Sequence, residues 1–175
     1  MKELLYRIAE IEDISSLEIL INSSYRGDES RSGWTNEADL LEGQRTDSKY
    51  LQGLLSQSNS TMLVAEYEAE IVGGVHLKML DAGKAYLGML AIKPGVQNRG
   101  FGRKLMNAAE SWLRENWKTS IVRMTVIQKR VELIAWYERC GYLRTGEVEP
   151  FPYGDLSGGK PLMPDMEFIV LEKSI

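Results

Sequence analysis

The run Gln97-Asn98-Arg99-Gly100-Phe101-Gly102-Arg103-Lys104 lies between a strand-like stretch, 84–93, and a helical one that reaches about 117. The helical stretch places Leu105, Met106, Ala108, Ala109, Trp112 and Leu113 on one stripe, the pattern of a helix with a buried face. The first amides of a helix have no partner within it and sit at the positive end of its dipole. Glycines at such a junction let the backbone take positive φ and approach a ligand closely. The result is a cradle for a phosphate or pyrophosphate, and Arg99, Arg103 and Lys104 add positive charge beside it. A dinucleotide fingerprint would need a third glycine where Leu105 stands, and no Gly-Lys-Ser/Thr of a P-loop occurs. Taken alone, the two glycines also suit an ordinary tight turn.

Working outward, 121–127 reads as a strand and 131–140 as a helix ended by Gly141. Strands at 142–149 and 165–171 flank a segment, 150–164, that holds four of the five prolines with Gly154, Gly158 and Gly159. Its length suggests a functional lid. Upstream, 61–68 and 71–80 pair about a turn at Ala69-Glu70, and 4–9 is a short strand. Asp13 is expected to cap a helix to about 24, with Ile14, Leu17, Leu20 and Ile21 on one face. The polar stretch 25–35 reads as an exposed loop. Thr35 would cap a second helix to about 44, and Asp47 a third with Tyr50, Leu51, Leu54 and Leu55 on one side. This order predicts an α/β (α+β) chain, 1–175 as one domain, with helices packed on a mixed, mostly antiparallel sheet.

Composition sets limits on function. At 175 residues, 43% apolar and 26% charged, the chain has the make-up of an ordinary globular domain. No apolar run is long enough to span a bilayer, and the N-terminus lacks the apolar core of a leader. The net charge of −4 argues against nucleic acid as the main partner and permits a cationic small molecule. One cysteine, Cys140, supports neither an internal disulfide nor a zinc site, which fits a reducing cytoplasm. His76, the sole histidine, reads as a strand residue rather than a catalytic one.

Two longer matches add specificity. Leu87-Gly88-Met89-Leu90-Ala91-Ile92-Lys93-Pro94, followed by Gln97-x-x-Gly100-x-Gly102, resembles the acetyl-CoA-binding motif of the GNAT superfamily of N-acetyltransferases. Ala135-Trp136-Tyr137-Glu138-Arg139-Cys140-Gly141-Tyr142 resembles that family's second signature, at the usual separation. The resemblance covers nearly the whole chain. It implies the acyl-CoA N-acyltransferase fold, about seven strands with two central ones, 84–93 and 121–127, splayed apart to admit the cofactor.

The same resemblance implies roles. The backbone of Leu90, Ala91 and Ile92 would bind the pantetheine arm, with the Leu90 amide as oxyanion donor. Gln97, Asn98, Arg99, Gly100, Phe101 and Gly102 would hold the pyrophosphate, with Arg103 and Lys104 at the helix start. Tyr137 would be the general acid, a phenol protonated at neutral pH; packing in the core is its other reading. Arg130 stands where relatives commonly carry asparagine, and would contact the cofactor or be solvated. The acceptor site would come from 25–45 and 150–164, with Tyr25, Trp34, Phe151 and Tyr153 as walls. Glu37, Asp28 and Glu29 are candidate bases or amine-binding carboxylates. The expected reaction is acetyl transfer from acetyl-CoA to a primary amine of a small molecule, without a metal. Acetylation of a protein or peptide, or acyl-CoA binding without catalysis, are the alternatives; a homodimer is possible, as among relatives.

Overall fold

The computed structural model describes residues 3–33, 35–81, 83–154 and 158–175. Its strands are β1 (Leu5–Ile8), β2 (Leu41–Glu42), β3 (Ser60–Tyr67), β4 (Glu70–Met79), β5 (Lys84–Ile92), β6 (Ile121–Ile127), β7 (Leu143–Pro150), β8 (Lys160–Pro161) and β9 (Glu167–Ser174). The helices are α1 (Ile14–Tyr25), α2 (Gly27–Ser30), α3 (Ser48–Leu55), α4 (Phe101–Trp117) and α5 (Val131–Arg139). Seven strands form one sheet in the order β1-β3-β4-β5-β6-β9-β7, and β2 pairs with β8 as a separate ribbon. Within the large sheet the β5–β6 pair is parallel and its neighbours are antiparallel. This is the mixed, mostly antiparallel architecture that the sequence predicts.

Helices cover both faces. On one, α4 seats Leu105, Met106 and Leu113 with no exposed surface, each worth about 2 kcal/mol of apolar burial. On the other, α1 and α3 cover Met62, Val64, Met89 and Ala91 with Leu17, Ile21, Leu51 and Leu54. Gly73 and Gly74 on β4 let both layers close down. A Cβ on Gly73 would stand 2.9 Å from Ile92 Cδ1 and 3.0 Å from Leu105 Cδ2, and one on Gly74 3.0 Å from Leu17 Cδ2.

Several local expectations need correction. Asp13 does not cap α1 through its side chain. Its carboxylate instead caps the preceding 3-10 turn, Ile11–Asp13, accepting from the Glu10 amide at 2.8 Å, and pairs with Arg7 at 2.6 Å. No helix follows Thr35: its hydroxyl donates to the Ser24 carbonyl, and Asn36 Oδ1 takes the Ala38 amide in a tight turn that leads into β2. The segment after Tyr25 holds the short helix α2 rather than a continuous loop. Asp47 does cap α3, accepting from the Tyr50 amide at 2.7 Å, but the Tyr50 ring is exposed. The β3–β4 turn centres on Glu68 and Ala69, both with positive φ, one residue earlier than anticipated.

Candidate active site

β5 and β6 start together and then part. Their register runs Lys84↔Ile121, Ala85↔Val122 and Tyr86↔Arg123 and goes no further, although both strands continue. A bulge helps to open the gap. Between the pairs His76↔Gly88 and Gly74↔Ala91, the single residue Val75 faces Met89 and Leu90, and Met89 has φ of 46°. Beyond the bulge the Lys93 amide bonds the Val72 carbonyl on β4. By alternation Leu90 and Ile92 turn their main-chain groups to the other side, where β6 has withdrawn.

Side chains from α1 and the glycine turn reach into this opening. Tyr25 Oη donates to the Leu90 carbonyl at 2.8 Å. The Ile92 carbonyl accepts from Gln97 Nε2 at 3.0 Å and from Ser24 Oγ at 3.1 Å. Gln97, expected at the pyrophosphate, thus also braces the end of β5. Of the sequence-predicted pantetheine contacts, Leu90, Ala91 and Ile92 are all buried.

Past the gap lies a cleft of about 570 Å³ between the glycine turn and α5. It is lined by Ile92, Gln97, Asn98, Gly100, Phe101, Gly102 and Arg103 on one side and by Glu132, Leu133, Ala135, Trp136 and Arg139 on the other. Asn98 and Gly100 have φ of 64° and 74°, and Gly100 is the N-cap of α4 with no side chain capping the helix. The first-turn amides of a seventeen-residue helix therefore face this cleft without a side-chain acceptor. The donor set suits a diphosphate, and the volume suits a cofactor arm. Arg103 lines the cleft and donates to the Arg139 carbonyl at 2.9 Å, while Arg99 and Lys104 are exposed and do not line it.

Tyr137 lies at the inner side of α5, 6% exposed. Burial raises its pKa well above the usual phenol range, and the charges of Tyr25, Arg130, Tyr86 and Cys140 act on it. Tyr25 is likewise pushed up to about 12, first by burial. Tyr86, on the last residue pair before the strands part, reaches across with its hydroxyl 3.3 Å from Thr125 Oγ1 on β6. A Cβ on Gly88 would stand 2.5 Å from the Tyr86 ring, so that glycine makes room for it.

Arg130 is turned inward. It donates to Glu37 Oε1 at 3.0 Å and to the Thr35 carbonyl at 2.6 Å. The other Glu37 oxygen takes Arg26 at 3.2 Å. Glu37, 7% exposed, is thus held between two guanidiniums. Asp28 and Glu29 are exposed on α2. Arg26 also donates to the carbonyls of Gly43 and Gly158 and so joins the two segments expected around the acceptor. The β2–β8 ribbon ties the same segments together. Phe151 stacks on Phe168 at 5.4 Å and touches Tyr153, whose hydroxyl donates to the Met163 carbonyl. Trp34 lies outside the described residues. Sequence reasoning passed over Arg26, Arg45 and Tyr86. No motif marks them; they matter because distant segments fold onto α1 and β5.

Comparisons with known proteins agree with this geometry. Residues 19–142 match the model of the acetyltransferase (GNAT) family. An S-(2-succino)cysteine N-acetyltransferase from Bacillus subtilis is 31% identical over 93 residues, 49% of this chain and 56% of that protein. The match thus spans little more than half the length of that relative. A spermidine N-acetyltransferase from Vibrio cholerae, solved with CoA and spermine, superposes with a TM-score of 0.71 at 18% identity, covering 98% of this chain and 95% of that one. A ribosomal-protein-alanine N-acetyltransferase from Brucella melitensis gives 0.72 at 17% identity, covering 98% and 99%. Among the described residues no helix is long and apolar enough to cross a membrane. The matched family model covers most of the sequence, and the parted strands, the uncapped glycine turn and the buried tyrosine all lie within its span; this chain belongs to the GNAT acetyltransferase family.

Proposed function

We propose that the chain transfers an acetyl group from acetyl-CoA to the primary amine of a small molecule, with both bound at once. The observation that carries this reading is the gap between β5 and β6, running from the Leu90 bulge to the side-chain-free N-terminus of α4. Bound acetyl-CoA would supply an activated thioester: the amine nitrogen gains the carbonyl carbon and loses a proton, and the C–S bond breaks with its electron pair on sulfur. The α4 amides and Arg103 hold the diphosphate. The Leu90 amide, on the open side of β5, orients the acetyl oxygen and favours charge developing there.

Tyr137 hydrogen-bonds the departing sulfur. Its burial keeps the phenol protonated, and a thiol, near pKa 8.5, is the stronger acid. The phenol therefore stabilises the leaving group mainly as a donor and does not give up its proton outright. Both oxygens of Glu37 are already taken by arginine, so we assign it as a counter-ion and give the amine proton to water. Arg26 and the β2–β8 ribbon hold the 150–164 segment down, which supports a compact acceptor over a polypeptide. The relative named for an amino-acid derivative supports a small amine too. A cytoplasmic setting fits the free Cys140.

The test is release of CoA from acetyl-CoA with a panel of amines, comparing the native chain with Tyr137→Phe. Removing the donor should lower kcat by about 10²-fold with CoA affinity nearly unchanged. A native chain that binds CoA but turns over with no amine would be an acyl-CoA-binding module instead.

A further inference from the structure

We propose that the acceptor amine carries a carboxylate and that Arg45 binds it; this rests on the transferase reading above. Three guanidiniums converge near the Leu90 bulge. The Cζ atoms of Arg45 and Arg130 stand 5.7 and 5.8 Å from the centre of the Tyr25 ring, and the Tyr25 hydroxyl is bonded to Leu90. Arg26, next in the chain to Tyr25, is buried beside them. A single carboxylate, Glu37, serves Arg26 and Arg130. Those two arginines also donate to main-chain carbonyls, Arg26 to those of Gly43, Gln44 and Gly158 and Arg130 to that of Thr35, although Arg26 Nε is buried without an acceptor.

Arg45 has no such partner: among the described residues no carboxylate lies within 4.0 Å of its guanidinium and no acceptor bonds it. Yet its position is built. Asn22 on α1 accepts the Arg45 and Thr46 amides at 2.7 and 3.2 Å and donates to the Thr46 carbonyl at 3.0 Å. Asn22, Tyr25 and Arg26 share one end of α1, so the helix that props the bulge also fixes the root of Arg45.

Arg45 is half-buried, its guanidinium is held over the Tyr25 ring, and it lacks an ion pair. A ligand carboxylate, matched to the planar fork of arginine, supplies that pair. The local excess of positive charge has two further effects. It opposes polycationic amines, unlike the spermine held by the Vibrio cholerae structure with the same fold. It also lowers the pKa of a bound ammonium group, favouring the neutral amine that must attack.

Initial rates for a set of amino acids, each beside its carboxamide and its decarboxylated amine, together with spermidine, test this. The native chain should favour the acid over its amide by about tenfold or more in kcat/KM. Arg45→Gln should raise KM for the acid about 10- to 100-fold and weigh far less on the amide, and Arg45→Lys should recover part of the loss. Calorimetry with CoA reports the fold of each variant. A native chain that uses amides, decarboxylated amines or spermidine as well as the acids leaves the transferase reading standing and overturns this one. Equal losses for acid and amide in a well-folded Arg45→Gln also overturn it. Absence of turnover with every amine, with CoA still bound, overturns both.

Discussion

His76 illustrates how far one side chain can be read before its function is known. It sits on β4, 7% exposed, with Nε2 2.8 Å from Ser60 Oγ. Burial, then the charges of Lys78 and Arg45, lowers its pKa from 6.5 to about 4. Between those values the unfolded chain takes up a proton that the folded chain refuses. The stability so gained is complete above pH 6.5 and drains away as the pH falls towards 4, an effect of about 3 kcal/mol. His76→Gln removes this dependence. Denaturant midpoints at pH 7 and pH 5 should differ less for the variant than for the native chain; parallel losses in both would refute the assignment. The histidine was legible in the sequence as a strand residue because its neighbours are apolar and β-forming. Its hydrogen bond to Ser60 was not, since the partner comes from another strand.

At the scale of elements, the decisive parts are those that reach across the chain. α1 ends in Ser24 and Tyr25 with Arg26 as its C-cap, and these contact Ile92, Leu90 and the 150–164 segment in turn. The β2–β8 ribbon closes the same circuit through two residue pairs, Leu41↔Pro161 and Glu42↔Lys160. Gly159 sits at its tightest point, with φ of 106°. A Cβ there would collide with Arg26 Nη1 and stand 2.7 Å from the Glu42 carbonyl oxygen. Gly159→Ala should therefore cost about 1–3 kcal/mol and loosen the clasp. Kinetically, KM for the amine should rise while CoA affinity holds, because the clasp is remote from the glycine turn. An unchanged amine KM would mean that the ribbon does not shape the acceptor site. The proline and glycine content marked this segment, but a two-residue ribbon lies below what periodicity can detect. Thr35 shows the converse. It has the right chemistry for a helix cap, yet its hydroxyl goes to Ser24 and the following carboxylate, Glu37, goes to two arginines. Tertiary partners outweighed a local cap worth about 1 kcal/mol.

For the whole molecule, the open gap between β5 and β6 is the feature on which the proposed cofactor site rests. Strands that could continue pairing stop after three residue pairs, and the uncapped first turn of α4 faces a cleft of about 570 Å³. The sequence made this architecture legible because each half has a local signature: a long helix with a clean apolar stripe, a glycine turn before it, and a second helix ended by Gly141. It did not disclose the bulge at Met89 and Leu90, which is a matter of register between strands. Binding that bridges the two halves must stabilise them together. At a CoA concentration 100 times its Kd the gain is about 2.7 kcal/mol, or roughly 5–10 °C in Tm for a chain of this size. Gly102→Glu places a carboxylate in the cleft lining at the first turn of α4, where it would oppose the diphosphate assigned there and occupy its space. Gly102 is buried, so the variant should melt somewhat lower without CoA, and it should gain almost nothing from CoA. A native chain whose Tm does not move with CoA, or a variant whose Tm moves as far as the native one, would show that the glycine turn is not where the diphosphate is held.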